Sequence, residues 1–388
     1  MTNFSELGLS AELLDALASR GFTEAFPIQA LTIPDANAGR DVCGKAKTGS
    51  GKTLAFGLPM LQKIGTAQPH APLGLVLVPT RELASQVTDE LAPLAQKNGQ
   101  RVLAVYGGVS MDKQIDALKQ GVELVVATPG RAIDLMEQGM LRWDSVEMLV
   151  LDEADRMADM GFMPQVQKIL YRMTQDHQTL LFSATLDGAV NQLVKRYMKD
   201  PVFHELESKE PTVEEMDHRF LLVHQMDKVK VAASIINGAN RTVLFVRTKR
   251  GADRLVSQLQ REGVHAGAIH GDLRQNARER SLADFTSGKT KALVATDVAA
   301  RGIHVDGVDV VVHYDPPEDH KAYLHRSGRT ARAGESGVAV SLMLWNEENH
   351  IRVLQRRLAL DEPIVEVFSN DPRLKNLKAW DNAEAVQA

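Results

Sequence analysis

The chain has 388 residues, 45 Lys plus Arg against 50 Asp plus Glu, a net charge of −5 and a single cysteine. That length is too great for one ordinary hydrophobic core and predicts two or three domains. One cysteine excludes a disulfide framework and a Cys-rich zinc site, and an acidic balance with only 5% aromatic residues argues against a permanently basic or broadly base-stacking nucleic-acid binder.

The first residues, Met1 to Glu6, lack the basic start and apolar core of a signal peptide. No run of about 18 apolar residues follows anywhere, so no membrane span is expected and the cytoplasm is the expected compartment. Short Val- and Leu-rich runs then recur at residues 73–78, 122–127, 146–151 and 179–182, each closed by a polar or Gly/Pro cluster. Such runs read as strands buried on both faces of a parallel sheet. Between them lie stretches with helical spacing, such as residues 81–87. The same rhythm restarts at 242–246, 292–295, 308–312 and 338–342. The alternation predicts an α/β fold of two doubly wound parallel-sheet domains. A charged, proline-interrupted stretch separates the two sets. The predicted division is an N-terminal domain over 1–206, a flexible linker over 207–217, a C-terminal domain over 218–369 and a short tail over 370–388. Most of the acidic excess falls before residue 211, and neither domain is basic.

Ala46-Lys47-Thr48-Gly49-Ser50-Gly51-Lys52-Thr53 follows an apolar start at Asp41-Val42-Cys43 and precedes the helix-like Leu54-Ala55-Phe56. It ends in Gly-Lys-Thr as a phosphate-binding loop does, with Ala46 where the strict pattern has Gly. Gly49 and Gly51 let backbone N–H groups turn toward phosphates, and the helix N-terminus adds positive character. Lys52 is expected to reach the β- and γ-phosphates, and Thr53 to ligate magnesium. The run ending in Asp152 and Glu153 places two carboxylates at the C-terminal end of a buried strand, where α/β sheets carry their sites. Asp152 is expected to hold magnesium, and Glu153 to orient and deprotonate a water attacking a phosphoanhydride.

Asp152-Glu153-Ala154-Asp155, one of about ten motifs in matching order over roughly residues 4–345, resembles the DEAD-box ATP-dependent RNA helicases, and within them the bacterial RhlE-like group. The resemblance implies two RecA-like domains, ATP and Mg2+ as cofactors, and RNA as partner, structured or duplex and bound without sequence preference. It implies a monomer in the setting of ribosomal or RNA-decay assemblies. Residues 21–29 resemble the adenine-reading Q motif, with Gln29 on the adenine edge and Phe22 nearby. Ala25 and Phe26 depart from the usual Pro-Thr. Phe4 either stacks on the base or packs in the core. The ATP contacts implied are thus Phe4, Phe22, Gln29, Thr48, Gly49, Ser50, Gly51, Lys52, Thr53 and Gly302, with Arg329 and Arg332 as arginine fingers on the γ-phosphate.

Pro79-Thr80-Arg81, Gly107-Gly108 and Thr128-Pro129-Gly130-Arg131 resemble the first domain's RNA loops, where helix N-termini and Arg hold phosphates. In the second domain Gln275, Arg278, Thr296 and Asp297 are implied to face RNA. Asp155, Ser183, Thr185 and His325 are implied to couple hydrolysis to strand separation. His304 stands where the family usually has Asp, with Asp306 two residues on, and could make ATP binding pH-dependent. Cys43 is expected to be packed, and His313 to end a strand rather than bind a ligand. The activity implied is RNA-stimulated ATP hydrolysis with local unwinding of short duplexes or remodelling of RNA–protein complexes. An ATP-gated RNA clamp or assembly platform carries the same motifs. A DNA-directed motor is a third reading, opposed by Gln29 and the Asp152–Asp155 spelling.

Overall fold

The structure is a computed structural model that describes residues 2–46, 50–173, 176–186, 188–206, 216–300, 307–330 and 337–380. The chain divides into two compact units, Met1–Ser208 and Lys209–Ala388. The first is built on seven parallel strands. Across the sheet they run Val102–Val105, Leu124–Ala127, Gly74–Leu77, Met148–Asp152, Gln178–Ser183, Val42–Lys45 and Val202–Glu205.

The second unit has its own seven parallel strands. Their order is Ala266–Ile269, Ala292–Thr296, Thr242–Val246, Val310–His313, Gly337–Met343, Met216–Leu222 and Ile364–Glu366. Numbered along the chain within each sheet, the strands lie in the order 3-4-2-5-6-1-7 in both. The two units are topological repeats, each with its first strand near one edge.

Each central strand is apolar without interruption because helices cover both faces of its sheet. Val76 and Val78 join one cluster with Phe56 and Phe182, while Leu75 and Leu77 join another with Leu149 and Leu181. In the second unit Leu244 and Val246 lie on one face, and Val243 and Phe245 on the other. Cys43 is fully buried in the strand before the phosphate loop, and burial pushes its thiol up to about 12, so it is inert packing. His313 ends its strand as expected and is held by Ser327, Nε2 to Oγ at 3.1 Å. Burial, together with the nearby Arg326, keeps its imidazole well below the ordinary value, hence neutral.

Two expected boundaries are corrected. Met216 and Asp217, placed in the linker, open a strand, because their alternating burial fits a strand beside the sheet's edge. The described part of the expected tail, residues 370–380, packs on the second unit. Short 3-10 turns at Pro372–Lys375 and Leu377–Ala379 bring Leu374, Leu377 and Trp380 into the second unit's core, with Arg373 stacked 4.6 Å over the Trp380 ring. Leu374→Ala should therefore cost about 2–5 kcal/mol, the range for a fully buried leucine. Urea unfolding of the second unit reads this directly, and a loss below about 0.5 kcal/mol would return the segment to the status of a loose tail.

Candidate nucleotide and phosphate-backbone site

The carboxyl ends of the first unit's strands carry two groups of side chains. Strand Val42–Lys45 runs into the loop that ends at Gly51, whose φ of +82° is a left-handed conformation suited to glycine. Lys52 then opens helix Lys52–Lys63. It is 7% exposed; its Nζ donates to the Ala46 carbonyl at 3.2 Å and lies 3.8 Å from Asp152 Oδ1. Thr48 and Gly49 lie outside the described residues; Ser50 leads into Gly51.

Asp152 ends strand Met148–Asp152, with Oδ1 accepting the Glu153 N–H at 2.9 Å. Burial pushes its carboxyl up to about 6, with Lys52 acting in the opposite direction and Glu153 in the same one. Among the described residues the cation paired with this buried carboxylate stands 3.8 Å away, which leaves it short of positive charge and suits a divalent cation. Glu153 has a left-handed φ of +53°, a strained setting for a non-glycine residue. Its carboxylate pairs with Arg156 one helical turn on.

Asp155 is held from the neighbouring strand. Its N–H donates to Ser183 Oγ at 3.1 Å, and its Oδ2 accepts the N–H groups of Ala184 and Thr185 at 3.2 and 3.3 Å. Three of the four residues assigned to coupling thus meet in the first unit. His325 stands elsewhere, on helix His320–Ser327 of the second.

Gln29 sits in the first turn of helix Pro27–Asn37, almost wholly buried. Its Oε1 accepts the Phe26 N–H and its Nε2 donates to the Gly51 carbonyl, both at 2.8 Å. Phe22 is half-exposed under the Arg20 guanidinium at 5.3 Å. Phe4 is corrected: at 3% exposed it belongs to the core, which resolves its two readings toward packing. Thr53 hydrogen-bonds Glu90, whose carboxyl is raised by burial against the pull of Thr53 and Arg20. Sequence reading singled out neither Glu90 nor Arg156. Only the latter had a signal, its three-residue spacing from Glu153.

The second group stands on the three strands beyond. Pro79, Thr80 and Arg81 follow Gly74–Leu77; Gly107 and Gly108 follow Val102–Val105; Thr128, Pro129, Gly130 and Arg131 follow Leu124–Ala127. Thr80 caps its helix by accepting the Leu83 N–H at 3.3 Å. Gly108, with φ +88°, lies directly against Arg81: a Cβ there would fall 2.1 Å from Nη1. Arg131 Nη1 donates to Gln114 Oε1 at 3.2 Å, and Gln114 Nε2 to the Tyr106 carbonyl at 3.0 Å. Two guanidiniums, a glycine pair and helix N-termini converge here, a combination that receives phosphates.

In the second unit one expected RNA contact has an internal partner. Asp297, expected to face RNA, commits both carboxylate oxygens to Arg326 Nε and Nη2 at 2.6 and 2.7 Å. Arg326 is buried, and a buried guanidinium requires such a partner. Gln275 and Thr296 are also buried within the unit, Gln275 donating to Glu279 at 2.9 Å. Arg278 lies on helix Gln275–Thr286. Arg329 follows helix His320–Ser327, its Nε directed at the His325 carbonyl at 3.4 Å. Arg332, Gly302, His304 and Asp306 lie outside the described residues. Among the described residues no helix is long and apolar enough to cross a membrane.

Residues 26–193 match the family model of the DEAD/DEAH box helicases, and residues 227–334 match that of the helicase conserved C-terminal domain. The chain is 43% identical over 358 residues to a DEAD-box ATP-dependent RNA helicase CshA of Bacillus cereus, covering 92% of this chain and 68% of the relative. It is 41% identical to an ATP-dependent RNA helicase CshA of Listeria monocytogenes, over the whole of this chain and 73% of the other. Among solved structures, S. cerevisiae Dbp5 bound to RNA and ADP BeF3 superposes with a TM-score of 0.83 at 30% identity, covering 97% of this chain and 98% of that one. The fold and the site thus define an ATP-using α/β enzyme of two RecA-like units. The chain belongs to the DEAD-box helicase family. Its reported relatives bear the name CshA and give no support to the RhlE-like subgroup.

Asp152 also makes a pH prediction for protein free of nucleotide and divalent cations. A carboxyl raised from 3.8 to about 6 contributes stability below the unfolded value and loses it as pH rises through about 6. Asp152→Asn should therefore unfold later than wild type at pH 8, by an amount on the order of 2 kcal/mol, and the gain should vanish near pH 4. A gain equal at both pH values in urea titrations would refute the assignment.

Proposed function

We propose that this chain hydrolyses ATP on binding RNA and uses the cycle to open short duplexes or remodel RNA–protein complexes, with little sequence preference. The observation that carries the reading is the division of one sheet edge. Three adjacent strands lead at their carboxyl ends to Lys52, Asp152 and Ser183, and the next three lead to Arg81, Arg131 and the Gly107–Gly108 pair. A nucleotide site and a backbone-binding site so placed share the neighbouring strands Gly74–Leu77 and Met148–Asp152.

In this reading Lys52 and the loop N–H groups hold the β- and γ-phosphates, and Gln29 reads the adenine edge. Glu153 takes the proton of the attacking water once its carboxylate is released from Arg156. Magnesium, held by Asp152 and Thr53, would neutralise phosphate charge. Arg329 and Arg332 answer the charge that spreads over the γ-phosphate in the transition state. The bonds of Asp155 to Ser183, Ala184 and Thr185 link the hydrolytic strand end to its neighbour and give coupling a physical route. Contacts through Arg81, Arg131 and backbone N–H groups address phosphate and sugar rather than bases, so sequence preference is small. The relatives' names favour a CshA-like place in the family; a cytoplasmic monomer working among ribosomal or RNA-decay assemblies is part of the same proposal and does not rest on those names.

Glu153→Gln should lower RNA-stimulated ATP turnover about 10²- to 10⁴-fold while the protein still binds ATP and RNA. Turnover equal to wild type would remove Glu153 from its role. ATPase rates with structured RNA, single-stranded RNA and DNA at one salt concentration test the substrate, and equal stimulation by DNA would overturn the RNA assignment. RNA-stimulated hydrolysis without displacement of a short duplex would move the reading to an ATP-gated clamp.

A further inference from the structure

Phe26 occupies the N-cap of helix Pro27–Asn37, a position where Ser, Thr, Asp or Asn would accept a backbone hydrogen bond. No side-chain cap is made there, and the phenyl ring is 58% exposed. The position thus gives up a cap and leaves a large aromatic in water, two unfavourable choices at one residue. Its surroundings supply a reason. The Phe26 N–H is fixed by Gln29 Oε1, and Gln29 Nε2 is fixed to the Gly51 carbonyl. A Cβ placed on Gly51 would fall 2.7 Å from Phe26 Cδ2 and 2.5 Å from Gln29 Nε2. The ring therefore lies in contact with the last glycine of the phosphate loop and beside the glutamine assigned to the adenine edge. Phe4, the aromatic considered for stacking on the base, is in the core, and Phe22 lies under the Arg20 guanidinium.

We propose that Phe26 is a nucleotide-contacting residue, its ring forming a wall of the pocket against the purine of the bound nucleoside triphosphate. The inference rests on the nucleotide reading of Lys52 and Gln29. The two residues divide the work. A phenyl face accepts any purine, whereas the Gln29 amide distinguishes adenine from guanine by its hydrogen-bond pattern. Phe26 then sets the strength of nucleotide binding and Gln29 its selectivity.

The test is Phe26→Thr in the full chain, a change that supplies the missing cap. Thermal unfolding without nucleotide should show stability equal to or above wild type, so any loss of binding is not a loss of fold. Affinity for ATP, ADP and GTP by calorimetry should fall roughly tenfold each, with the ATP-to-GTP ratio preserved. Inorganic tripolyphosphate, which has no base, should inhibit both proteins equally. Nucleotide affinities unchanged in Phe26→Thr would overturn the proposal, as would an equal loss for tripolyphosphate, which would mean a disturbed phosphate loop. Lys52→Ala run in parallel separates the two levels. If it abolishes ATP binding while Phe26→Thr does not weaken it, only the role of Phe26 fails; if Lys52→Ala is silent, the nucleotide site itself is misassigned.

Discussion

A parallel sheet covered by helices on both faces has nowhere to present chemistry except at its ends. That constraint organises this protein. Interior residues of each central strand are spent on packing, as Leu75, Val76, Leu77 and Val78 show by alternating between two cores. The first residues past the strand are free to be polar, and helix N-termini follow within a few positions. The candidate side chains of the first unit therefore fall in one row without needing proximity in sequence. The crossover that places strand Val42–Lys45 next to Gln178–Ser183 brings Lys52 to Asp152 across a sequence separation of a hundred residues.

Buried charge is the second organising cost. Lys52 and Asp152, Arg156 and Glu153, and Arg326 and Asp297 are each taken largely out of water. The last pair is geometrically complete, with both oxygens of Asp297 engaged, and it fixes the helix that leads to Arg329. The first is incomplete, and Asp152 registers the shortfall as a raised carboxyl. A closed pair holds structure; an open one leaves charge for a ligand to satisfy.

Central strands could be read from composition because burial on both faces demands unbroken Val and Leu. Strand 242–246 matches residue for residue. Edge strands could not. Val202–Glu205 alternates toward solvent, and three of the four residues of Ala266–Ile269 are small, so neither rises above its surroundings. Met216–Leu222 hid behind the charged stretch before it. The phosphate loop and the two carboxylates were legible because spacing and strand context dictate them. The pairing of Asp297 with Arg326 was not legible, because a carboxylate's partner cannot be seen when it lies 29 residues away on another element. Phe4 was open between core and site for the same reason: an aromatic near the start of a chain says nothing of what will cover it. Trp380 was passed over because its neighbours carry no periodicity, although it joins the second unit's core together with Leu374 and Leu377.

The shared strand order extends to individual positions. Register places Met148 opposite Gly74 and Val310 opposite Thr242, so Tyr314 holds the place of Asp152. Thr80 and Thr248 cap corresponding helices in the same way. Lys228 opens the helix after the first strand of the second sheet, as Lys52 does in the first, and is equally buried. Its ammonium, however, rests 4.9 Å over the Tyr314 ring and 3.9 Å from Glu347 Oε2. The same ground plan thus serves two ends: the lysine that opens this helix is left with an incomplete ion pair in the first unit and is committed to internal contacts in the second.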